Sequence, residues 1–200
     1  MTASPRLKSE YSTDYPYGLR PVSASKGKAK LQIISSQGQL QVYTAPYRGS
    51  FSVVLSEALR SAGLGSKVLI AQFLKGGVSQ GPENSTSLCG NLEWLRPDFY
   101  GCISKSENSN NANTEDFLST KKVVGDIWEI CKDNLINNTL DKLVLDEIGL
   151  AIDFGFISEE DLITTLENRH DSIDVIITGP SIPTKVFEVA DQVTQLRCSK

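Results

Sequence analysis

Lys67-Val68-Leu69-Ile70-Ala71-Gln72-Phe73 is a nearly unbroken apolar run, and that continuity decides the fold. A strand with one wet face alternates apolar and polar residues, whereas a strand covered on both faces, as in a parallel sheet, stays apolar along its length. Leu143-Val144-Leu145 repeats the pattern and ends in Asp146-Glu147, and residues 173–178 repeat it once more. Upstream, Gln41-Val42-Tyr43-Thr44-Ala45 is a β-rich run, followed by a turn at Pro46-Tyr47-Arg48-Gly49. Residues 50–62 then carry apolar side chains at helical spacing, and Gly63-Leu64-Gly65 ends that helix. Downstream, the pattern predicts a strand over 92–95, a polar loop over 104–113 and a long amphipathic helix over 114–135. Ser158-Glu159-Glu160-Asp161 is a capping signature for a helix running to about Asn168, Pro183 suits a first helical turn, and 193–197 reads as the last strand. Strands alternating with helices predict an α/β fold, a doubly wound and mainly parallel sheet joined by right-handed crossovers.

The chain has 200 residues, of which 40% are hydrophobic and 22% charged, enough for one core that stands without metal or disulfide staples. Its four cysteines, Cys89, Cys102, Cys131 and Cys198, are scattered, with no C-x-x-C pair for a zinc ribbon or a redox dithiol. They read as reduced thiols, and no apolar run approaches a membrane span, so a cytoplasmic protein without a membrane partner is expected. A formal charge of −4 argues against nucleic acid as a partner. Residues 1–36 are rich in Ser, Lys, Pro and Gly and are expected to form a flexible leader, with the domain proper at 37–200. The oligomeric state is open at this level, a homodimer included.

In an open α/β sheet the ligand lies beyond the carboxyl ends of the strands. The loops after Ala45, Phe73, Asp146 and Thr178 are therefore where chemistry is expected. These loops also carry a resemblance. Val42-Tyr43-Thr44, Gln72-Phe73-Leu74-Lys75-Gly76, Leu143-Val144-Leu145-Asp146-Glu147, Ile177-Thr178-Gly179 and Ala190-Asp191-Gln192-Val193-Thr194 occur in the order and approximate spacing of the corrinoid adenosyltransferases. The stretch from Gln39 to Arg197 resembles that family, which has the P-loop NTPase fold.

The resemblance implies an ATP:corrinoid adenosyltransferase acting on cob(I)alamin or cob(I)yrinic acid a,c-diamide in cobalamin biosynthesis. The reduced cobalt attacks the 5′ carbon of ATP and triphosphate leaves. Its ligands are then ATP, magnesium and the corrinoid substrate. Thr44, Ala45, Arg48 and Gly49 are implied as nucleotide contacts from the first loop, with Ser50 and Ser52 following. Lys75 and Thr178 are implied from the second and fourth strand ends. Asp146-Glu147 reads as a Walker B pair for magnesium, and the competing reading is a plain acidic turn.

The first loop departs from the family pattern, which runs glycine, any residue, glycine, lysine, glycine, lysine and two threonines. Here the matching residues are Ala45, Pro46, Tyr47, Arg48, Gly49, Ser50, Phe51 and Ser52. Pro46 has no N–H, and Tyr47 brings a bulky side chain where a phosphate nest needs glycine. Ser50 replaces the phosphate lysine and Phe51 a magnesium-facing hydroxyl, each a loss of about 1.5–3 kcal/mol of contact. Arg48 is the one cation within the altered loop. Pro180 and Gly149 depart from the family's arginine and asparagine, and the family's basic, aromatic tail is expected to be missing after Lys200. A second reading therefore stands beside the enzyme: a catalytically inactive derivative that binds a nucleotide, a corrinoid or a protein. His170, the sole histidine, sits in a polar turn and reads as a surface residue. Trp94, Phe99 and Tyr100 read as packing residues in a segment where the family faces its corrinoid.

Overall fold

The computed structural model describes residues 37–49, 51–77, 79–104 and 114–197. The stretch read as a leader, and Ser50 of the first loop, lie outside them. Strand β1 (Leu40–Thr44) leads into helix α1 (Ser52–Gly63), then β2 (Val68–Gln72). A single 3-10 turn at Pro82–Asn84 precedes β3 (Thr86–Leu88) and β4 (Leu92–Leu95). Helix α2 (Thr114–Asn137), β5 (Lys142–Asp146), α3 (Ile148–Asp153), α4 (Glu159–Glu167), β6 (Asp174–Thr178), α5 (Thr184–Val189) and β7 (Gln192–Gln195) complete the order.

The strands form one sheet in the order β3-β4-β2-β5-β6-β1-β7, parallel except where β3 runs against β4. The apolar run that opened the sequence analysis lies near the middle, with all five β2 residues buried. Such a strand can only be covered from both sides. On one side Val54, Ala58 and Ala62 of α1 meet Val68, Ile70, Val144 and Ile176. On the other, Val124, Ile127, Cys131, Leu162, Leu166 and Val186 from the remaining helices meet Leu69, Leu143, Leu145 and Ile177. This is the doubly wound arrangement, and it aims all four central strand ends at one rim. No described helix is long and apolar enough to cross a membrane.

Local rules explain the termini. Ser158 caps α4 by accepting from the Asp161 backbone N–H, as the capping signature predicts. Pro183 precedes α5 as its cap and not as its first residue. Phe51 caps α1 without a side-chain hydrogen bond; its ring instead packs edge-on against Tyr43. Two elements escaped the sequence analysis: β3, which exists by pairing with β4, and α3, one short turn of helix after Glu147.

Candidate functional site

Register aligns the site. Gln72 pairs with Asp146 and Asp146 with Thr178 across β2, β5 and β6, so one polar side chain caps each of three apolar strands on the α1 side. All three are buried, as is Glu147. Burial on this scale is tolerated only when every polar atom finds a partner, and here each does. The Thr178 hydroxyl donates to Asp146 Oδ1 at 2.7 Å. Gln72 Nε2 donates to Asp146 Oδ2 at 2.6 Å, and Lys75 Nζ to the same oxygen at 2.8 Å.

Glu147 is held by a second cation. Arg48 Nε lies 3.0 and 3.1 Å from its two carboxylate oxygens, and one Nη donates to Oε2 at 2.8 Å. The other Nη donates to the Ile103 carbonyl, and Leu74 O lies 3.4 Å from the first. Every nitrogen of the guanidinium is thus engaged by the protein. The Glu147 hydrogen bonds raise the Arg48 pKa above its ordinary value, with burial opposing. Lys75 Nζ also lies 3.5 Å from Glu147 Oε1, joining the two pairs into one network.

The backbone is shaped to present Glu147 inward. Its φ is 63°, a left-handed conformation that costs about 1–3 kcal/mol for a residue with a side chain. Its N–H is fixed to Thr178 O at 2.8 Å. Gly179, at φ 120°, makes room: a Cβ there would come within 3.1 Å of Glu147 Cα.

Arg48, Lys75, Asp146, Glu147 and Thr178 therefore converge as one cluster. The other expected contacts are placed differently. Thr44 ends β1 beside β7, with its carbonyl accepting from Leu196. Ala45 is buried in the apolar layer under α1. Ser52 is exposed and borders a separate cleft of about 540 Å³ with Tyr43, Glu57, Arg60 and Lys142, which includes neither carboxylate. Gly49 has no positive φ, and neither does any other described residue of the first loop. A phosphate nest alternates right- and left-handed residues, so the described loop residues do not form one. His170 sits in an exposed turn beside Ser172 at 2.8 Å.

The donor set of Asp146 and Glu147 is already committed to other partners and leaves no place for a magnesium ion. Magnesium binds through free carboxylate oxygens in an octahedron. All four oxygens here already accept from a hydroxyl, an amide, an ammonium or a guanidinium. In this arrangement the residues do not fit the ion. Among the described residues no cluster of three or more His, Cys, Asp or Glu side chains is suited to a metal.

The family model described as ATP:corrinoid adenosyltransferase BtuR/CobO/CobP matches residues 36–200. The chain belongs to the corrinoid adenosyltransferase family. It is 26% identical over 167 residues to the corrinoid adenosyltransferase of Escherichia coli K12, covering 83% of this chain and 80% of that one. The corrinoid adenosyltransferase of Pseudomonas aeruginosa is 24% identical over 179 residues, covering 84% and 79%. An uncharacterised protein of Nostoc sp. is 26% identical over 174 residues, 80% of this chain, and the chain spans 44% of that protein's length. The family uses ATP and a corrinoid substrate, and its α/β architecture agrees with the sheet described above.

Two residues of the cluster were not singled out from the sequence. Gln72 is the lone polar residue of an apolar strand, and Arg96 follows β4 at the same rim. A polar residue at a buried strand end was the available signal for Gln72.

Proposed function

We propose that this chain is a non-catalytic member of its family, a binding module that uses the strand-end rim for a small anionic ligand and has exchanged the metal–triphosphate machinery for its own cations. One observation carries this reading: Arg48 and Lys75 satisfy the same carboxylates that a magnesium ion would need. A neutralised pair, together with a first loop lacking Lys at position 50, offers little compensation for the charge of a leaving triphosphate. The cytoplasm is the proposed compartment.

The deciding experiment supplies folded protein with ATP, magnesium and chemically reduced corrinoids, and follows formation of the cobalt–carbon bond by absorbance. No conversion is expected with cob(I)alamin or cob(I)yrinic acid a,c-diamide. Conversion of either would overturn the reading.

The second reading, transfer of the 5′-deoxyadenosyl group of ATP to a reduced corrinoid cobalt, draws on the Lys75, Asp146 and Thr178 side chains still gathered at one rim. It requires Arg48 and Lys75 to release both carboxylates, so that Arg48 turns to phosphate and Asp146 and Glu147 to magnesium. Calorimetric titration with ATP separates the two: a strict magnesium requirement for binding belongs to the enzyme, and indifference to magnesium to the binding module.

A further inference from the structure

Beside the neutralised pairs stands a third cation. Arg96 Nε donates to Gln72 Oε1 at 2.7 Å, and its guanidinium lies 4.9 Å from the Trp94 ring centre. Gln72 Oε1 also accepts from Trp94 Nε1 at 2.9 Å, while Gln72 Nε2 donates to Asp146. The orientation of that amide is forced: Arg96 and Trp94 can only donate, and ionised Asp146 can only accept. The guanidinium is thus pinned on one edge by the amide oxygen and on one face by the indole. Among the described residues no carboxylate pairs with Arg96 and no acceptor meets its two Nη groups. Among the described residues, Arg48 and Lys75 each pair with one of the two carboxylates, and Arg96 pairs with neither.

We propose that Arg96 is the ligand-binding cation of this rim, a preorganised fork that takes one phosphoryl group, free or on a mononucleotide, without a divalent metal. The proposal rests on the strand-end rim being a retained binding site. A planar guanidinium whose Nη edge carries two parallel N–H donors matches two oxygens of a phosphoryl group. Because Gln72 and Trp94 already fix its orientation, little rotamer freedom remains to be lost on binding. The metal is unnecessary because Asp146 and Glu147 are neutralised from within, so the incoming anion meets no bare carboxylate.

The chain has two tryptophans. Trp128 is buried between α2 and α4, bonded to Asp161, so Trp94 emission reports the fork, and a Trp128→Phe background isolates it. Inorganic phosphate and adenosine monophosphate are titrated in EDTA, by fluorescence and by calorimetry. Saturable binding of at least one is expected, and their relative affinities tell which source the site prefers. Arg96→Gln weakens binding by about tenfold or more, and Arg96→Lys, which keeps the charge and loses the fork, stays clearly weaker than the parent. If Arg96→Gln does not fold, Arg96→Lys carries the test. No saturable binding by the parent, parent-like affinity in Arg96→Lys and Arg96→Gln, or binding only with added magnesium overturns the proposal. Adenosyl transfer assayed on the same sample keeps the two readings apart. Turnover with intact phosphate binding removes only the non-catalytic assignment, and a missing phosphate response without turnover removes only the fork.

Discussion

Two sets of ion pairs in this molecule use the same chemistry in opposite surroundings. At the strand ends, Glu147 faces Arg48 with its side chain 1% exposed. On α1, Glu57 faces Arg60 one turn away, with side chains 38% and 68% exposed. The Arg60 hydrogen bond lowers the Glu57 pKa, yet water and salt can replace either partner, and such pairs contribute little. Glu147 has no such recourse. It sits under a left-handed backbone, sealed by Gly179 and α3, where losing its cation leaves a charge in an apolar wall. Pair geometry thus says little about importance until burial is known.

The contrast can be broken most sharply at Arg48. Arg48→Met strands the Glu147 carboxylate with only Lys75 at 3.5 Å, and urea unfolding is expected to register a loss of about 3 kcal/mol. Arg48→Met combined with Glu147→Leu removes both charges and should recover most of that loss, a strong non-additivity. A loss below about 1 kcal/mol in the single variant would mean that Glu147 behaves like the exposed Glu57.

Thr178→Val comes next. It keeps the shape and removes the hydroxyl that donates to Asp146 Oδ1, with an expected cost of about 1–2 kcal/mol by the same unfolding measurement. A neutral result would show that Gln72 and Lys75 alone satisfy Asp146.

Asp161 is about as exposed as Glu57 but is held by two donors, and it is tested by acid. Burial pushes its pKa up, but hydrogen bonds from Trp128 Nε1 and Lys132 Nζ more than offset this, and the folded-state pKa is lowered. A depressed carboxylate contributes stability above its unfolded pKa of about 3.9 and loses it as pH falls through the folded value. Wild type should therefore shed part of its stability below about pH 4 that Asp161→Asn has already lost at neutral pH. Parallel pH–stability curves for the two proteins would remove Asp161 from the balance.

Arg60→Ala should have the smallest effect, about 0.3–0.5 kcal/mol at low salt and less at high salt. A loss comparable to that of Arg48→Met would erase the distinction between the two regions.

The same burial accounts for what could be read in advance. The β2, β5 and β6 strands were legible because a strand covered on both faces must be apolar, and that is a local property. Helix α1 and the Ser158 cap were legible for similar reasons. Strand β3, Thr86-Ser87-Leu88, was not, since it is short, polar and defined only by its partner β4. Helix α3 was hidden because six residues following a strand carry no helical period to detect. At the site, Asp146, Glu147, Lys75 and Arg48 could be named as chemically capable, but not paired.

The sequence by itself determined a doubly wound α/β sheet, its family, the rim on which any ligand must lie, and the absence of the family's loop lysine, because these follow from composition, period and order along the chain. Only the tertiary structure decided that Arg48 turns inward to Glu147, that Lys75 closes on Asp146, and that Arg96 is held between Gln72 and Trp94. Apart from the Arg96–Trp94 stack, those contacts join residues 22 to 99 positions apart. Which cation meets which carboxylate depends on strand register and on burial that forbids any unpaired charge, and neither is written in a local pattern.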